Sequence, residues 1–162
     1  MSSLDLARDH FCSVRMPLFR FFSVDGAHTA EATRADMHVG ACHLAEGGVL
    51  VVDDVFNNLF LGVTEGIFSM LALNRERLAP FLIITGKIYM TTPAYHARYL
   101  AAAEAFFIPR YGAYTDAQKT NVAGWRVVSH SVPVHADITS TPERAGRVAA
   151  ELAELLSLPI TA

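Results

Sequence analysis

Residues 21–54 read FFSVDGAHTAEATRADMHVGACHLAEGGVLVVDD, and two features of this stretch decide the fold. First, LFRFFSV (18–24) is rich in aromatic and β-branched residues and stops at Asp25-Gly26, a turn dipeptide. Second, GVLVVDD (48–54) is apolar on both faces of a strand, the pattern of a parallel strand covered by helices. Between them Thr29 can cap a helix with Glu31 in its first turn. Ala32, Ala35, Val39 and Cys42 recur at helical spacing, and Gly47-Gly48 is expected to end the helix. Strand, helix and strand in succession predict two neighbouring parallel strands. Ligands bind beyond the carboxyl ends of such strands, so Asp25, Asp53 and Asp54 are expected to converge at one edge of the sheet.

Working outward, Gly62 to Leu73 predicts a helix with Val63, Ile67, Met70 and Leu71 on its apolar side. APFLIITGKIYMTTP (79–93) is one long strand or a hairpin about Thr85-Gly86, closed by Pro93. Residues 94–107 read as an alanine-rich helix and 109–124 as a loop. WRVVSHSVPV (125–134) is a last strand, with Pro133 turning its end toward an edge or bulge. Ser140 or Thr141 can cap a final helix whose apolar face is Ala145, Val148, Ala149, Leu152, Leu155 and Leu156. The expectation is one α/β domain over residues 1–162, mostly parallel with a C-terminal antiparallel strand.

Composition narrows the class. Hydrophobic residues are 52% of the 162 and charged ones 18%, so the chain can bury a core and is not a disordered one. The net charge of −3 and the scattered Lys and Arg leave no nucleic-acid footprint. No apolar run approaches the roughly 20 residues of a membrane span. The opening MSSLDLARDHFCSVR is too polar for a signal-peptide core. Cys12 and Cys42 are far apart and read as buried free thiols in a reducing compartment, which makes the cytoplasm the expected location.

Three carboxylates without a thiolate suit a hard divalent cation, Mg²⁺ first and Mn²⁺ or Ca²⁺ as alternatives. With no cation, mutual repulsion opposes ionisation of all three. His28 lies about one helical turn beyond Asp25 and can act as general base for a bound hydroxyl. Against this, a strand-end Asp is commonly a turn former, and a helix-start His is commonly solvated. His38 and His43 are poorly spaced to share a metal, while His130 and His135 read as structural. Asn57, Asn58, Tyr111 and Tyr114 can line a cleft, but no spacing singles them out. The chain has no GxSxG elbow, P-loop, HExxH or paired CxxC.

The segment from Phe19 to Val55, with its Asp-Gly-x-His strand end and Gly-Gly-x-x-x-x-Asp-Asp strand, resembles the second half of a class I S-adenosylmethionine-dependent methyltransferase. It is most similar to the group called type 24 methyltransferases, and LAPFLIITGKIYMTTPAYHARYL (78–100) is similar to that group's continuation. The resemblance covers roughly residues 18–100. It implies a partial Rossmann-like sheet, Asp25, Asp53 and Asp54 as holders of a divalent metal, and His28 as the base. It further implies S-adenosylmethionine as methyl donor and a small hydroxylated molecule as acceptor.

The chain departs from that group in lacking the strands that carry the glycine loop for S-adenosylmethionine. The strand at 18–24 is therefore expected to present a bare apolar edge. Two readings follow. One is a metal-assisted O-methyltransferase, truncated and needing a complementing N-terminal half. The other is a non-catalytic α/β association module, such as a homo-oligomer formed through that edge.

Overall fold

The computed structural model describes residues 17–111 and 117–130. The predicted C-terminal helix, Cys12, Tyr114, Pro133 and His135 lie outside them. The described chain is α/β, an open mixed sheet of six strands with helices on both faces. β1 (Phe19–Val24) leads through α1 (Ala30–His43) to β2 (Leu44–Val52), and α2 (Leu61–Leu73) leads on to β3 (Ala79–Ile84) and β4 (Lys87–Thr91). A 3-10 turn (Pro93–Tyr95) opens α3 (His96–Tyr111), and β5 (Ala117–Val122) and β6 (Trp125–His130) complete it.

The sheet order is β1-β2-β4-β3-β6-β5. β1 is parallel to β2 and β3 to β6, whereas β4 and β5 run against their neighbours. The reversed strands are thus β4, inside the sheet, and β5; the last described strand, β6, is parallel to β3. Two tight turns force this. Thr85-Gly86 joins β3 to β4 and Ala123-Gly124 joins β5 to β6, with φ of 51°, 76°, 50° and 83° respectively. Positive φ at both central residues marks the type I′ hairpin, whose twist suits antiparallel strands. Of the two options at 79–93, the hairpin is the one formed. Part of the segment expected as a loop is β5, whose AQKTNV is largely exposed.

α1 begins where expected, with Ala32 N–H donating to Thr29 Oγ1 at 3.2 Å. It ends at His43, earlier than Gly47-Gly48. Leu44 is already extended and pairs with Phe19, and Gly47 (φ 69°) sits in the irregular start of β2. The register jumps there, from Phe19↔Leu44 to Phe21↔Val49.

The sheet separates two apolar layers. On one side Met37, Leu50, Val52, Val63, Ile67, Leu71, Ile88 and Met90 pack under α1 and α2. On the other Phe81, Leu82, Leu100, Phe106, Phe107 and Val128 pack under α3. α1 and α2 lie unusually close. A Cβ on Gly66 would come within 2.7 Å of Thr33 Cβ and 3.0 Å of the Ala30 carbonyl, nearer than a side chain can tolerate. One turn earlier in α2, a Cβ on Gly62 would come within 3.2 Å of the His28 carbonyl, so α2 also lies against the turn that carries His28. Cys42 is disulfide-bonded, so the free thiol expected there is not found. Among the described residues no helix is long and apolar enough to cross a membrane.

Candidate metal centre

The carboxyl ends of β1 and β2 meet as expected. Asp53 N–H donates to the Val24 carbonyl at 3.0 Å, extending the parallel ladder one step beyond β2. Asp25 therefore leaves β1 beside the Asp53-Asp54 pair. A cleft opens there, lined by Asp25, His28, Thr33, Asp53, Asp54 and Val63 among others. It has about 10 Å³ of room, the space of one water or one cation.

Three ligand atoms converge in this cleft. Asp25, His28 and Asp54 each offer one, all within 4.8 Å of one another. His28 Nε2 stands 3.1 Å from Asp54 Oδ2, with the two side chains 37% and 23% exposed. The imidazole is fixed from the other direction by Phe60, whose ring stacks on it at 3.9 Å and 15°. Asp54 is held by Asn57, whose Nδ2 donates to Oδ1 at 2.8 Å; Asn57 Oδ1 in turn accepts from Leu59 N–H at 3.0 Å. His28 and Asp54 thus each have a partner that sets their direction, as supporting residues do around a metal ligand.

Asp53 faces elsewhere. Successive strand residues point to opposite faces, and Val52, directly before it, is buried under α1 and α2. Asp53 consequently points toward the α3 side, where its Oδ2 accepts from Lys87 Nζ and its Oδ1 from Asp54 N–H at 2.8 Å. Asp54 escapes the alternation because its φ is 59°, in the left-handed region that Asp tolerates better than most residues. That turn swings its carboxylate back to His28.

Two participants carry no sequence signal on their own. Lys87 lies opposite Asp53 because Val52 pairs with Ile88 across β2 and β4, a register that follows from the hairpin. The position of Asp36 is equally local, since its Oδ2 would meet a Cβ on Gly26 at 3.0 Å. Tyr89 shares the Asp53 side of the sheet. Burial pushes its phenol above the ordinary 10.0; Lys87 offsets part of the rise and Asp53 adds to it.

The remaining histidines and cleft candidates are elsewhere. His38 Nε2 is 3.8 Å from Cys42 Sγ, and His43 Nδ1 donates to the Val39 carbonyl at 3.1 Å within α1. His130 is buried against Tyr111, with ring centroids 4.4 Å apart, and Asn58 is exposed at the surface.

The donor set fits a cation. Two carboxylates and an imidazole suit Mg²⁺ poorly and Mn²⁺ or a similar divalent ion better, because imidazole is a softer ligand than oxygen. No protein-family model matches this chain, and no curated protein matches it.

Proposed function

We infer that this chain is a divalent-cation-binding α/β domain related to the metal-dependent O-methyltransferases. One observation carries the reading: Asp25, His28 and Asp54 converge beyond the carboxyl ends of two neighbouring parallel strands. That is the position where open α/β sheets place ligands. The arrangement supports a partial Rossmann-like sheet, because β1-α1-β2 carries the Asp-Gly-x-His and Asp-Asp ends that the resemblance is built on.

Asp25, His28 and Asp54 would hold the cation. A bound cation of this kind acidifies a coordinated hydroxyl, which is the chemistry an O-methyltransferase needs from it. The residues do the rest by orientation. Asn57 aims Asp54, and Phe60 stacks on the imidazole, whose Nε2 lies 3.1 Å from Asp54 Oδ2. When the neutral ring donates from Nε2, Nδ1 is left as a proton acceptor. The 3.1 Å spacing of His28 Nε2 and Asp54 Oδ2 suits two donors on one cation and favours Nε2 as a ligand, while the base role implied by the resemblance would need Nε2 protonated and Nδ1 free. The acceptor on this reading is a small hydroxylated molecule and the methyl donor S-adenosylmethionine.

The test is calorimetric titration of Mn²⁺, then of S-adenosylhomocysteine, into the full chain. Saturable Mn²⁺ binding lost in Asp54→Ala supports the cation site. Binding of S-adenosylhomocysteine supports the methyltransferase relation, and no binding of either in a folded chain overturns the reading. His28→Ala separates the two histidine roles: a ligand loses Mn²⁺, whereas a base keeps Mn²⁺ binding intact.

A further inference from the structure

Cys42 lies in the last turn of α1, half-buried, and is disulfide-bonded. Cys12 is the other cysteine of the 162 residues, so the bond joins these two. Two nitrogen groups stand against the Cys42 sulfur, and neither has a part in the cation site. Arg77 Nη1 donates toward Sγ at 3.7 Å, and His38 Nε2 is 3.8 Å from it. We propose that the Cys12–Cys42 bond is a redox-active site that exchanges with a dithiol, with Cys42 as the sulfur that leaves as thiolate. The inference stands independently of the cation reading.

The argument turns on which sulfur can carry negative charge. In thiol–disulfide exchange a thiolate attacks one sulfur, and the electron pair of the bond departs on the other. A guanidinium stays charged at every working pH, so Arg77 stabilises a thiolate on Cys42 whenever one forms. His38, one turn back on the same helix, can donate to that thiolate from Nε2. One influence opposes them. Cys42 is at the C-terminal end of α1, where the helix dipole disfavours negative charge. A thiolate there consequently depends on its two neighbours. Arg77 reaches it from the turn between α2 and β3, where its own N–H donates to the Asn74 carbonyl at 2.9 Å.

The step balances between the protein and the dithiol. One dithiol thiolate attacks Cys12 Sγ, the Cys12–Cys42 bond breaks, and its electron pair leaves on Cys42 Sγ beside Arg77. The second dithiol thiolate attacks the mixed disulfide, releases Cys12 and closes the dithiol into a cyclic disulfide. The dithiol is oxidised, the protein disulfide is reduced, and the dithiol protons pass to the cysteines or to water. The bond closes a loop from residue 12 to residue 42, which holds β1, most of α1, Asp25 and His28. Reduction opens that loop and lowers stability by freeing the unfolded chain.

The experiment is timed reduction of the oxidised full chain by dithiothreitol, with thiols counted by iodoacetamide alkylation and mass spectrometry. The unaltered chain is compared with R77Q and R77K, each checked for folding by circular dichroism. Reduction roughly three- to tenfold slower is expected in R77Q, as for a leaving thiol of higher pKa, and R77K should stay within about threefold of the unaltered chain. High salt should shrink the R77Q difference, because Arg77 is exposed. A pulse of glutathione, a monothiol, should leave its mixed disulfide on Cys12. Equal rates in R77Q and the unaltered chain, glutathione on Cys42, or reduction only in denaturing urea each overturns the proposal. If R77Q does not fold, the position of glutathione on the unaltered chain carries the test. Two free thiols in the chain purified without reductant also overturn it.

Discussion

Asp53 and Asp54 are consecutive, yet one pairs with a lysine on the α3 side of the sheet and the other with a histidine on the α1 side. The sequence shows the two carboxylates but not that division, because it depends on the left-handed backbone at Asp54. Asp25 and His28 were legible from the turn dipeptide and the cap that follows it, whereas Lys87 becomes visible only once the hairpin register is known. Removing the organising residue should be costly. Asn57→Ala is expected to weaken Mn²⁺ binding about tenfold by letting Asp54 rotate, with calorimetry as the check. Tyr89 gives an independent probe of the same neighbourhood. Its folded pKa is raised, so its protonated form favours the native state. The corresponding stability is fully present below the ordinary value of 10.0 and is lost as pH rises through the higher native value. Ultraviolet titration of the phenolate should show one tyrosine ionising late, and Tyr89→Phe should abolish that phase.

At the scale of elements, capping, periodicity and the parallel β1–β2 pair were readable, and the direction of the last described strand was not. Thr29 caps α1 as its position before Ala30 implies, and Thr29→Ala should cost about 1 kcal/mol in urea denaturation. The strand β5 escaped sequence reading because AQKTNV is polar and exposed, without the apolar run that announces a buried strand. What makes it a strand is its partner: a type I′ turn at Ala123-Gly124 brings it back along β6. The contact of α1 with α2 was equally hidden, because a glycine inside an apolar helix face looks like a weakness and here serves as a slot. Gly66→Ala should force the helices apart and cost roughly 1–3 kcal/mol, measured by chemical denaturation. The same displacement should loosen the turn bearing His28, so Mn²⁺ affinity is expected to fall with stability.

For the whole molecule, β1 is an edge of the six-stranded sheet among the described residues, and it exposes 62% of Phe21. An unpaired apolar edge is a template for another strand. Sedimentation velocity over a range of concentrations should reveal self-association of the chain, reduced in Phe21→Lys; a concentration-independent monomer would count against the association module. The candidate site sits at the far end of that same strand, and all its donors come from one unbroken stretch between Asp25 and Asp54. This has a kinetic consequence. Contacts close in sequence are cheap to close and form early, so the β1-α1-β2 unit is expected to be organised in the folding transition state. A cation that binds there would then act before the rest of the sheet is assembled. Mn²⁺ should accelerate refolding in stopped-flow experiments and leave the unfolding rate nearly unchanged.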